Sequence, residues 1–123
     1  MGKYKYGTTP IHEAALGGHT EIVKILAPLT ENPNAPNNNG STPIHVAACF
    51  GHTEIVKILV PFTDNPNAPN NNGKTPIHMA VGNGHTEIVK ILTPLPITIF
   101  TLLLPVLVSG LHYIMLFYKK MPK

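Results

Sequence analysis

The sequence predicts an all-α solenoid, a stack of helix pairs in which each pair packs on the next. Three observations predict it. Thr9-Pro10-Ile11-His12 returns as Thr42-Pro43-Ile44-His45 and again as Thr75-Pro76-Ile77-His78, at a spacing of 33 residues. The run from Gly18 to Leu26, Gly-His-Thr-Glu-Ile-Val-Lys-Ile-Leu, returns letter for letter from Gly51 to Leu59 and from Gly84 to Leu92. The run from Asn32 to Gly40 is repeated unchanged from Asn65 to Gly73. A fixed period of this size marks units that cannot bury an apolar face alone and must stack, with about three copies as the practical minimum.

Each element follows from local chemistry. Gly7-Thr8-Thr9 aligns with Gly40-Ser41-Thr42, so the residues before Thr8 correspond to the second half of a loop between copies. The first copy therefore either serves as its own cap or continues a longer array. Thr9 is an N-cap residue, and Pro10 suits the first helical position, where its missing N–H costs nothing. The first helix is predicted over about Pro10 to Leu16, ended by Gly17-Gly18, since glycine enters the left-handed region without a Cβ clash. Thr20 is the predicted cap of the second helix, with Glu21 at the positive end of its dipole. Ile22, Val23, Ile25 and Leu26 give it an apolar face at helical spacing, with Lys24 outside. Pro28 stops or kinks it. Asn32 to Gly40 is turn chemistry, rich in Pro, Asn and Gly. The same reading applies to the second and third copies.

The periodicity breaks after Leu95. Pro96-Ile97-Thr98 stands where Thr63-Asp64-Asn65 would recur, and Ile97 to Tyr118 is a run of 22 residues without Asp, Glu, Lys or Arg. This divides the chain into a repeat domain over 1–95, with repeats at about 7–39, 40–72 and 73–95, and a hydrophobic segment over 96–123. Three readings of that segment stand side by side. It is long enough to cross about 30 Å of hydrocarbon as a helix over 97–118, followed by basic Lys119-Lys120. It is a cap for the solenoid, although no charged side chain gives it a polar outer face. Or it is an appended stretch without a role.

The tetrapeptides, the Ala that follows each of them (Ala14, Ala47, Ala80), the Gly-His pairs and the Ile-Val-Lys-Ile-Leu runs together resemble the ankyrin repeat family, whose signature is Thr-Pro-Leu-His-x-Ala at this period. The resemblance covers roughly Gly7 to Leu95. Ile replaces the signature Leu, Leu29-Thr30 and Phe62-Thr63 replace the usual Gly-Ala, and Asn replaces the usual Asp at Asn37, Asn39, Asn70 and Asn72. The resemblance implies that Asn32–Gly40 forms a hairpin-like finger. It also implies that the histidines of the tetrapeptides bond the threonines before them, and that partners bind in a concave groove.

Composition narrows the function. The net charge is +3 with neutral histidine, from nine Lys and no Arg against six acidic residues. Without Arg there is no planar fork for guanine or phosphate, and the lysines form no stripe, so nucleic acid is not an expected partner. The single Cys49 forbids an internal disulfide and fits a reducing compartment. No apolar run follows Lys3-Tyr4-Lys5-Tyr6, so no signal peptide is read there. Six of the seven histidines fall in two registers, His12, His45 and His78 and then His19, His52 and His85. Registers of a solenoid make ladders rather than clusters, and no zinc spacing occurs, so no metal, cofactor or small-molecule substrate is expected. No nucleophile–base pair or phosphate loop is visible, so no catalysis is expected. Asn39-Gly40-Ser41 has the glycosylation pattern but reads as a turn. Asn34 and Asn67 stand where some ankyrin repeats are hydroxylated.

Near-identical copies differ at few positions, and those differences select the candidate site. At the finger they are Ser41 and Lys74. On the side of the first helix that the resemblance turns toward the groove they are Val46, Cys49, Phe50, Met79 and Asn83. Phe50 and Met79 are the expected apolar anchors and Lys74 a rim charge. The alternative is neutral drift within a duplicated array. The expected function is a protein–protein interaction scaffold in the cytoplasm, with a membrane-anchored adaptor as the second reading.

Overall fold

The computed structural model describes residues 5–94. Among them are six α-helices and no strand: α1 (Pro10–Gly17), α2 (Thr20–Leu26), α3 (Pro43–Phe50), α4 (Thr53–Leu59), α5 (Pro76–Gly82) and α6 (Thr86–Leu92). The hydrophobic segment over 96–123 lies outside the described residues. Among the described residues no helix is long and apolar enough to cross a membrane.

Helices of seven or eight residues are too short to persist alone in water, so packing must hold them. They pack in two layers. α1, α3 and α5 stack side by side in one layer, α2, α4 and α6 in the other, and each inner helix packs on the outer helix that follows it. The core lies between the layers. Its side chains include Ile11, Ala15, Val23, Ile44, Ala48, Ile55, Val56, Leu59, Ile88 and Leu92, all buried. The alanines following each tetrapeptide suit this closeness: Ala14, Ala47 and Ala80 are small and all buried in the core.

The tetrapeptide builds the start of each inner helix. Thr9 is extended at the N-cap (φ −104°, ψ 168°), Pro10 takes the first helical position, and a capping box closes with His12. The Thr9 hydroxyl accepts from the His12 backbone N–H at 3.3 Å, and His12 Nδ1 accepts from the Thr9 backbone N–H at 3.1 Å. Histidine thus fills the place that Glu or Gln holds in the usual box. Thr42 with His45 and Thr75 with His78 repeat it. Each hydroxyl and ring satisfies a backbone group that the first turn would otherwise leave bare.

The outer helices start differently from expectation. Thr20 is not the cap but the first helical residue, and His19 holds the cap position without a side-chain bond. The His19 carbonyl already accepts from Val23 N–H at 3.2 Å, which draws Thr20 into the helix. In the next copies the ring of this histidine reaches the preceding repeat. His85 Nε2 donates to the Cys49 carbonyl at 3.1 Å, and the His52 ring lies over Gly18. A Cβ at Gly18 would meet that ring at 2.7 Å, and its φ of +71° is left-handed, so glycine is required on both counts.

Pro28 and Pro61 close the outer helices with single 3-10 turns, Ala27–Leu29 and Val60–Phe62. The loops that follow are hairpin-like without strands. Asn37 N–H donates to the Ser41 carbonyl at 2.8 Å, and Asn70 N–H to the Lys74 carbonyl at 2.8 Å. Successive loops are joined: Asn71 N–H donates to the Asn39 carbonyl at 2.9 Å and Asn71 Nδ2 to the Asn38 carbonyl at 3.0 Å.

Candidate protein-binding surface

The candidate residues occupy three pairs of equivalent positions in adjacent copies, Ser41 with Lys74, Val46 with Met79, and Phe50 with Asn83, each pair 33 residues apart. Cys49 precedes Phe50. Stacking α3 on α5 therefore turns sequence differences into one surface spanning two repeats. A shallow cleft of about 160 Å³ lies there, lined by Ser41, His45, Val46, Cys49, Phe50 and Met79. Five of the seven candidates line it. Phe50, at the end of α3, is 55% exposed, a large apolar side chain that the fold itself does not bury.

Asn83 and Lys74 sit beside the cleft rather than in its lining. Asn83 caps α5, and its Nδ2 donates to the Cys49 carbonyl at 3.1 Å and to the Met79 carbonyl at 3.2 Å. It bolts the ends of α3 and α5 together. The Lys74 side chain is exposed, while its carbonyl accepts from His45 Nε2 at 2.9 Å. Cys49 is a half-buried free thiol.

His45 was absent from the candidates because its place in the tetrapeptide marks it as a turn residue. It is both. Its Nδ1 accepts from Thr42 N–H at 3.1 Å, so that nitrogen carries no proton, and Nε2 must carry one to donate to Lys74. His12 is fixed alike, with Nε2 donating to the Ser41 carbonyl at 2.8 Å. Burial pushes both imidazoles below their usual value of about 6.5, more than offsetting the bond each makes to the next loop. The neighbouring positive potential of His12 lowers His45 further, whereas Glu13 acts to raise His12. The cleft therefore carries a neutral imidazole at its base. Leu16, at the position of Cys49 in the first copy, is 49% exposed and adds apolar surface to the same register. Its signal in the sequence was only its variation between copies.

Elsewhere the acidic residues read as solvated charges. Glu21 pairs with Lys24 at 3.1 Å and Glu54 with Lys57 at 3.2 Å, all largely exposed. Among the described residues no group of three or more His, Cys, Asp or Glu is placed to hold a metal ion. Buried Asn34 and half-buried Asn67 tie loops to helices. Asn34 Oδ1 accepts from Ile44 N–H at 3.0 Å, and Asn67 Nδ2 donates to the Leu92 carbonyl at 2.7 Å.

The family description "Ankyrin repeats (3 copies)" matches residues 12–100 of the chain. A search of curated proteins finds no match.

Proposed function

The chain belongs to the ankyrin repeat family, and from that premise we propose that it is a non-catalytic scaffold that holds a partner protein on the layer of inner helices. Ankyrin repeats are generally protein–protein interaction modules. The observation that supports this site is the cleft between α3 and α5, where half-exposed Phe50 stands beside Val46, Cys49 and Met79. Apolar anchors within a polar border are the usual arrangement of an interface hot spot. Ser41, Lys74 and Asn83 supply that border. The partner expected is a protein segment with an apolar side chain to lie against Phe50 and carbonyl or carboxylate groups within reach of Lys74.

Partners captured by the full chain provide the test. For each, the affinity of Phe50→Ala is compared with that of Phe62→Ala, a phenylalanine 41% exposed in the turn after α4 and outside the cleft. Truncating a central anchor costs about 2 kcal/mol, or roughly a thirtyfold loss of affinity. Such a loss for Phe50 and none for Phe62 supports the site; equal effects overturn it.

A second reading rests on the uncharged run over 97–118. In it the segment anchors the scaffold to a membrane and the repeats face the cytoplasm. Carbonate extraction of membranes from cells making the full chain separates the cases. Retention in the pellet that detergent releases supports the anchor, and release by carbonate alone opposes it.

A further inference from the structure

Among the described residues, the first and the last copy carry the two halves of one joint. Within the stack, each copy lays an imidazole on the copy before it, His52 over Gly18 and His85 over Gly51, with a Cβ at either glycine 2.7 Å from ring Cε1. Ile55 and Ile88 close the same joint, both at 0% exposure. At the front of the array Ile22, the equivalent residue, is 46% exposed and Ile25 is 62% exposed. At the rear, Gly84 is left-handed at φ +73°, and no atom among the described residues lies within 4 Å of where its Cβ would be. Around it is a shallow apolar hollow of about 240 Å³ with Val81 on its wall, 62% exposed.

We infer that the chain associates head to tail with a second copy of itself, the front of one repeat domain seating on the rear of the next. Sequence identity names the occupant. The run that fills this hollow twice inside the stack, from His52 and from His85 onward, is letter for letter the run that begins at His19. The surface that fits the rear is thus carried at the front of the same chain. The association continues an interface the fold already makes. An imidazole over a bare left-handed glycine is a shape that a general apolar ligand does not supply. The two faces differ, so the contact is heterologous and does not close on a dimer. It uses neither Phe50 nor the cleft between α3 and α5, and stands apart from the partner site.

Sedimentation velocity of the full chain in a mild non-ionic detergent tests this. Wild type is expected to gain mass with concentration, through dimers to longer species. Ile22→Lys with Ile25→Lys blocks the front, and Val81→Lys blocks the rear. All three positions are solvent-exposed, so each variant is expected to keep its helical circular dichroism and to remain a monomer. Mixed in equal amounts, the two variants supply the faces that each retains, and the mass doubles and stops there. Three results overturn the inference: wild type monomeric at every concentration, association that the lysines leave unchanged, or no doubling in the mixture. Should lysine disturb the helices, glutamine at the same positions reads the same complementation.

Discussion

The outer helices α2, α4 and α6 have one sequence and three environments. Val23 and Val56 are fully buried, while Val89 is only half-buried. Ile22 is 46% exposed, while Ile55 and Ile88 are fully buried. Letters, N-caps and helix lengths are the same, so position in the stack makes the difference. The isoleucine packs toward the copy before it, the valine toward the copy after. An ankyrin repeat is therefore half of two interfaces rather than a unit with its own core, and among the described residues only the middle copy has both halves filled.

Substitutions at matched positions sharpen that comparison. The largest difference is expected for isoleucine. Ile55→Ala empties a fully buried site and should cost about 3 kcal/mol, whereas Ile22→Ala should cost about 1 kcal/mol. Urea unfolding of the two variants measures both, and equal losses would show that burial at the front is more complete than the exposure of Ile22 indicates.

Histidine comes next. His45→Ala removes the capping-box partner of Thr42 and leaves the Lys74 carbonyl without its donor, an expected loss of about 2 kcal/mol. His78 makes the same box, but it is exposed and no bond from its Nε2 ties it to a following loop among the described residues. His78→Ala should cost about half as much. The two thermal midpoints, taken at neutral pH, decide it.

The pH dependence follows from the same pair. Burial lowers the folded-state values of His12 and His45, so the unfolded chain binds protons first and stability falls as pH drops. The contribution is whole above the unfolded value of about 6.5 and is lost progressively as pH falls from there toward the lowered folded values. Thermal midpoints between pH 7.5 and 5.0 are expected to decline (about two units spanning the transition), and His45→Gln should flatten the decline. An unchanged slope in that variant would remove His45 from the account. The smallest effect is expected at the surface: Glu21→Gln breaks the exposed pair with Lys24 and should change stability by less than about 0.5 kcal/mol.

Much of the fold was legible because its information is local. Thr, Pro and His at fixed spacing encode a cap within four residues, and Gly18 or Gly51 encodes a stop. Both survive any change of surroundings. Thr20 was misread for the complementary reason. A hydroxyl before an apolar run resembles a cap, but the backbone bond from Val23 to His19 starts the helix one residue earlier. The exposure of Ile22 was not legible at all, since nothing distinguishes it from Ile55 except what stands beside it. The gathering of Ser41, Val46, Cys49, Phe50 and Met79 in one cleft was accessible through comparison of the copies with each other. The part of His45 in that cleft was hidden by invariance: a residue identical in all copies carries no contrast.

The cross-copy ties have a consequence for folding time. His12 reaches Ser41 and His45 reaches Lys74, both across 29 residues, and among the described helices the substantial contacts reach no further than the adjoining copy. Each tie closes a loop of one repeat, at a chain-entropy cost that depends only on that length. Duplicating another copy into such an array deepens its stability without lengthening any loop that folding must close. Growth by duplication, which slows most folds by adding distant contacts, carries no such kinetic penalty here.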